Sequence, residues 1–225
     1  GAGQATWGVV FARTGDPQAR GGITSFIVDI GTPGLTLEPI DVIRSYSPYQ
    51  LTFEDCRIPV ANRLGEEGQG FALAEDWLVH QRVPYAATCI GTAQAALDIA
   101  LDWARDRETF GKKLADHQAI QWMLADSEVD LRAARLLVYQ AAWRAERGAN
   151  IKLEASVAKL FASEAANRVV DRCVQILGGM GVAKELPLER WFRETRIKRI
   201  GEGPSEVHRM VIARDLIRNG SREVD

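Results

Sequence analysis

The sequence predicts an α+β protein, predominantly α, in which a partial antiparallel β-domain is followed by a four-helix-bundle-type C-terminal domain. Three observations predict this. Short β-rich runs separated by glycine and proline fill the chain as far as Pro59. From Phe71 onward the apolar spacing changes from two to nearer four and stays helical to the end. Between them, Pro59 to Gly70 is a polar connector with glycines at 65, 68 and 70, which places a domain boundary there and divides the chain into residues 1–64 and 65–225.

Each element follows from local pattern. Trp7–Ala12 is short and β-rich and ends at the loop Arg13–Gly22; Ile23–Ile30 is the strongest strand, closed by Gly31-Thr32-Pro33-Gly34. Leu35–Ile40 and Gln50–Pro59 supply two more strands, and strands in series suggest an antiparallel sheet or part of a small barrel. A first long helix is expected from Phe71 to about Arg107, its apolar positions including Leu73, Trp77, Ala86, Ile90, Ala93 and Leu97, with Pro84 bending it. A second runs from His117 to about Arg147, with Leu131, Leu136, Val138 and Trp143 among its apolar positions, and Lys152–Leu177 is a third. Shorter helices are expected at 189–198 and 207–218. Long helices with short connections make a bundle.

The bulk properties exclude more than they identify. With 225 residues, 46% apolar and 26% charged, the chain is an ordinary globular sequence with room for one large or two modest domains. A net charge of −2 gives no reason to expect nucleic acid or a membrane surface as partner. No apolar run approaches the ~20 residues of a membrane span. Cys56, Cys89 and Cys173 are odd in number and lack metal-ligand spacing, which favours free thiols in a reducing cytoplasm and no metal site. The chain shows no signal peptide and opens abruptly into strand-like sequence, as if in the middle of a domain.

The stretch with the most chemistry is Arg199-Ile200-Gly201-Glu202-Gly203-Pro204-Ser205-Glu206-Val207. A carboxylate stands between two glycines, which permit strained backbone angles and close approach of another molecule. Pro204 suits a helix start, so Glu202 is expected in a tight elbow at the positive end of the last helix. Taken alone, an acidic residue favoured by the dipole at a helix N-terminus is the better explanation. Arg107-Glu108-Thr109-Phe110-Gly111-Lys112 places a guanidinium, a hydroxyl and an aromatic at a corner between helices, suited to a phosphate and a ring or simply to solvent. His117 and Gln118 open the next helix, where free N–H groups suit an anion. Gln175-Ile176-Leu177-Gly178-Gly179-Met180-Gly181 has more glycine than a helix C-cap needs, enough for backbone to lie against a flat ligand or another chain. Arg82 reads most simply as a surface arginine, and Glu206 and His208 as caps.

Together these segments resemble the acyl-CoA dehydrogenase family, in five stretches in the expected order: 22–34, 53–71, 107–118, 175–181 and 199–214. The resemblance implies the back of a middle β-domain plus a C-terminal helical bundle, and a flavoprotein oxidoreductase of fatty acid β-oxidation that converts an acyl-CoA thioester to the trans-2-enoyl-CoA. It implies Glu202 as general base, its N–H helping to hold the thioester oxygen, with Arg82, Gly201 and Gly203 beside the substrate. It implies FAD as cofactor, contacted by Arg107, Thr109, Phe110, Leu114, His117, Gln118, Gln175, Gly178, Gly179, Pro204 and Glu206. Part of that set reaches a neighbouring subunit's flavin, which implies a homodimer or homotetramer, and an electron-transferring flavoprotein as acceptor. Gln81 stands where some members place the base and cannot take a proton, which supports Glu202.

The chain departs from the family pattern in four places. Gly201 replaces a common tyrosine, a hint of a bulkier or branched acyl group; Pro204 replaces a threonine; Val79 replaces a substrate-contacting aspartate; and the family's N-terminal helical domain is absent from the sequence. That last departure predicts poor flavin affinity in isolation. Three alternatives stay open: a fragment or a non-catalytic scaffold subunit, both of which the shorter length favours, and an acyl-CoA oxidase, which nothing in the sequence distinguishes.

Overall fold

The computed structural model describes residues 1–16 and 22–221, so half of the expected loop 13–22, residues 17–21, lies outside the described residues. In chain order the elements are β1 (Trp7–Arg13), β2 (Ile23–Asp29), β3 (Leu35–Pro39), β4 (Tyr49–Phe53), β5 (Arg63–Leu64), α1 (Gly70–Asp106), β6 (Glu108–Thr109), β7 (Lys112–Lys113), α2 (Gln118–Glu146), α3 (Lys152–Leu177), α4 (Gly179–Val182), α5 (Leu188–Lys198) and α6 (Ser205–Asn219). Two compact units divide at Leu78 and Val79, inside α1.

In the first unit β2 is central. It pairs antiparallel with β1 along its whole length and with β5 on its other side, while β3 and β4 form a separate antiparallel ribbon. Gly34 sits at the ribbon's entry with φ +85°, where a Cβ would lie 2.1 Å from the Glu54 carbonyl, so only glycine fits. The polar connector proves to be part of this unit. Ser25 Oγ donates to Leu64 O (3.0 Å), Asn62 Nδ2 to Ile27 O (3.0 Å), and the Gly68 N–H to Thr24 Oγ1 (2.9 Å). These bonds explain why the unit carrying the sheet continues past the composition break at residue 64: the connector's polar groups are satisfied by β2, not by solvent.

The second unit is built on alanine. Its core joins Ala86, Ala93, Ala96, Ala100 and Ala104 of α1 to Leu131, Ala134, Val138 and Ala141 of α2 and Ala155, Ala158, Ala162 and Ala166 of α3. Small side chains let helix backbones approach closely, and alanine is the strongest helix former. Periodicity located the helices but not every inward face. Leu136 and Trp143, expected on apolar faces of α2, are largely exposed, as are Leu73 and Trp77 of α1. The buried stripe of α2 is Ser127, Leu131, Ala134, Val138 and Ala141. α2 therefore carries two apolar rows, and sequence spacing cannot say which one meets α3. α1 accommodates Pro84 within its span.

Candidate active site

The elbow between α5 and α6 is fastened from several sides, all within the second unit. The Gly201 N–H donates to Ile197 O (2.8 Å) and the Ser205 N–H to Arg199 O (3.0 Å), which closes the turn. Ser205 is buried and its hydroxyl donates to Glu164 Oε1 of α3 at 2.7 Å. Glu164 also pairs with Arg199 Nε (2.9 Å) and with Arg209 (3.8 Å). One carboxylate thus clasps the last turn before the elbow and the first turn after it. Pro204 is the N-cap and Ser205 the first helical residue, so the proline stands one place earlier than a first-turn position.

Two buried cations hold the carbonyls of the elbow. Arg82 Nε donates to Glu202 O (3.3 Å) and Lys159 Nζ to Gly203 O (2.6 Å). Arg82 is only 8% exposed, which corrects its reading as a surface arginine. Glu202 itself has φ 56°, a left-handed conformation that costs a non-glycine residue ~1–2 kcal/mol. Its Oε2 is buried without a hydrogen-bond partner among the described residues. A carboxylate oxygen with no partner keeps a lone pair free to accept a proton, which is what a general base needs.

His208 is no cap. It is wholly buried, and its Nε2 would lie 3.2 Å from a Cβ placed on Gly203. Burial, and then the charges of Lys159 and Arg82, bring its pKa down to about 4. Below ~6.5 the unfolded chain binds a proton here that the folded chain refuses, so stability falls as pH drops from ~6.5 toward 4. Denaturant titrations of the wild type are expected to show this decline, and His208→Gln to flatten it across that window.

Gly201 is not open space. A Cβ there would lie 2.6 Å from the Tyr85 hydroxyl, so Tyr85 occupies the room that the missing side chain was expected to leave for a bulkier acyl group. Gly201→Ala is expected to destabilise by ~1–3 kcal/mol through overpacking, and Tyr85→Phe in the same chain to recover part of that loss in chemical denaturation.

Of the eleven residues predicted to contact the cofactor, five line one cleft (Arg107, Thr109, Leu114, Gly178 and Gly179) and six do not. A cleft of about 620 Å³ is lined by Trp103, Arg107, Thr109, Leu114 and residues 176–180. Gly178 has φ +60°, and nothing lies within 4 Å of a Cβ on Gly178 or Gly179, so both leave backbone accessible to a flat group. Gly181 serves packing instead, since its Cβ would lie 2.3 Å from Val174 O. The corner 107–112 is a hairpin, not an irregular loop: β6 pairs with β7, and Phe110 (φ 52°) and Gly111 (φ 77°) form its two-residue turn. Phe110 at the tip is 99% exposed. His117 packs under the hairpin, its ring edge-on to Phe110 and its Nε2 3.4 Å from Thr109 Oγ1. Gln118, Gln175, Pro204 and Glu206 are exposed and do not line the cleft. Lys159, Glu164 and Ser205 escaped sequence reading. The one available signal was a lysine on the alanine stripe of α3, between Ala155 and Ala162.

Among the described residues no group of His, Cys, Asp or Glu is placed to hold a metal, and no helix is long and apolar enough to cross a membrane. The second unit is thus a helical bundle carrying a poised carboxylate on a glycine elbow and, separately, a glycine-floored cleft.

The acyl-CoA dehydrogenase C-terminal domain matches residues 68–217, and the chain belongs to the acyl-CoA dehydrogenase family. The rat mitochondrial short-chain specific acyl-CoA dehydrogenase is 45% identical over 94% of this chain and 52% of its own length. The structure of butyryl-CoA dehydrogenase from Megasphaera elsdenii superposes with a TM-score of 0.90 at 40% identity, covering 96% of this chain and 57% of that one. A structure described as the electron transferring flavoprotein of Acidaminococcus fermentans matches with a TM-score of 0.91 at 39% identity, over 96% and 58%. The chain spans about half the length of the relatives it matches.

Proposed function

We propose that this chain is the catalytic C-terminal portion of an FAD-dependent acyl-CoA dehydrogenase acting on short acyl-CoA thioesters, with Glu202 as general base. The observation that carries this reading is the buried, unpartnered Oε2 of Glu202 on its left-handed elbow. Glu202 takes the α-proton. Its own N–H makes no hydrogen bond to a described residue and is available to the thioester oxygen, where developing negative charge needs a donor. Arg82 and Lys159 hold the two following carbonyls, so the turn does not rearrange as the charge moves.

FAD, when bound, supplies the acceptor for the β-hydride. The glycine-floored cleft fits part of such a group: Gly178 and Gly179 present backbone where a Cβ would stand, and Arg107 offers a cation for a phosphate. The exposed Phe110 tip and the row Trp122, Val129, Leu136 and Trp143, spaced by seven along α2, support a homodimer or homotetramer in which copies cover these surfaces. Leu136→Glu is expected to lower the sedimentation-defined oligomeric state. Electron-transferring flavoprotein is the proposed acceptor and the cytoplasm the proposed compartment.

The test is anaerobic titration of the FAD-loaded, full-length protein with butyryl-CoA and longer acyl-CoAs. Bleaching of the flavin by butyryl-CoA is expected. A flavin that no acyl-CoA reduces would overturn the assignment.

A further inference from the structure

Lys159 is the largest wholly buried side chain among the described residues, on the stripe that otherwise holds Ala155, Ala158, Ala162 and Ala166. Removing an ammonium from water is costly, and helix packing has no need of it there. Among the described residues it makes no ion pair; its hydrogen bond goes to the Gly203 carbonyl at 2.6 Å. That carbonyl belongs to the peptide joining Gly203 to Pro204. Proline has no N–H, so the carbonyl is the only polar handle by which this peptide plane can be fixed. Gly203, at φ +96°, is the residue with the greatest freedom to turn it. Arg82 holds the preceding plane through Glu202 O. Resting on Glu202 as the base, we propose that Lys159 is its positioning residue: by fixing the Gly203–Pro204 peptide it holds the left-handed backbone of Glu202 and the aim of its carboxylate.

The groups facing Lys159 are Arg82, Tyr85 and Cys89 of α1, Glu164 of α3, Glu202 of the elbow and His208 of α6, with the Tyr85 ring centre 5.9 Å from Nζ. Burial, reinforced by Arg82 and partly offset by Cys89, Glu202 and Glu164, brings the Lys159 pKa down to about 8. The clamp therefore loses its charge, and weakens, as pH rises past about 8.

The experiment compares wild type, Lys159→Met and Lys159→Arg as FAD-loaded, full-length proteins. It measures kcat and KM for butyryl-CoA across pH, exchange of the butyryl-CoA α-deuterium with water, and FAD absorbance. Lys159→Met is expected to lower kcat and exchange together by ~10–100-fold, with KM within about twofold and FAD content unchanged. Lys159→Arg is expected to recover most of kcat and move the alkaline decline upward. Wild-type kcat and exchange in Lys159→Met, or an arginine variant no better than the methionine one, would overturn the proposal. Should Lys159→Met not fold, the alkaline limbs of wild type and Lys159→Arg decide, and coincident limbs reject it. Glu202→Gln in the same series separates the two readings. If it still exchanges, Glu202 is not the base; if it is dead beside a fully active Lys159→Met, only the role of Lys159 fails.

Discussion

Glu202→Gln is expected to slow reduction of bound FAD by butyryl-CoA by ~10²–10⁴-fold, the usual contribution of a positioned general base. The amide is nearly isosteric with the carboxylate. The contacts that shape the elbow go to backbone atoms, Arg82 to Glu202 O and Lys159 to Gly203 O, so they survive the substitution. What is lost is the basic lone pair on a buried oxygen that has no partner among the described residues. The thermal midpoint and FAD content should therefore stay at wild-type values while the rate falls. Turnover within about tenfold of wild type would move the base elsewhere, given the lower end of that range.

The second large effect is expected at Glu164. Glu164→Ala removes the nearer acceptor of the buried Ser205 hydroxyl, leaving only the Arg199 carbonyl at 3.4 Å, and the partner of Arg199 and Arg209 at once. The arginines are partly exposed, so solvent screens much of the pairing. The loss is expected at ~1–3 kcal/mol, most of it from the Ser205 hydroxyl, whose remaining acceptor, Arg199 O, is at 3.4 Å. Because the clasp joins α3 to both sides of the elbow, turnover should fall by ~10-fold or more, a displacement of the base being felt steeply in rate. Burial alone would raise the Glu164 carboxyl. Hydrogen bonds from Ser205 and Arg199, with the charges of Arg199 and Arg209, more than offset it and hold the pKa below the ordinary glutamate value. A depressed folded pKa contributes stability above the unfolded value of ~4.3, and that stability disappears as pH falls through the folded value. Denaturation of Glu164→Ala should therefore show a shallower acid decline below ~4.3 than wild type. Equal slopes, with unchanged turnover, would show that the clasp holds nothing.

The two expectations differ in what made them legible. Glu202 declares itself through its neighbours: glycine on both sides and a proline next describe a strained turn wherever they occur, because the information is in consecutive residues. Glu164 lies 38 positions before Glu202 in an unremarkable Ser-Glu-Ala run, and its partners meet it only when α3, α5 and α6 pack. The same division explains Gly201. Its missing side chain suggests space, but Tyr85, from a different helix, fills the place a Cβ would take.

Local pattern suffices to place β1 to β4, the five longer helices, the elbow that carries Glu202 and the glycines that floor the cleft, though not the two-residue strands β5, β6 and β7 or the short α4. The features placed this way depend on backbone propensity and on residues a few positions apart, which act before any tertiary contact forms. Tertiary packing alone settles which of two apolar rows on α2 faces the core. It alone buried Arg82, Lys159 and His208 beneath the elbow and tied the polar connector to β2. Burial and partnership at those positions arise between helices far apart in the chain. A cation or an imidazole reads the same in sequence whether water or a buried carbonyl receives it, and only packing distinguishes the two.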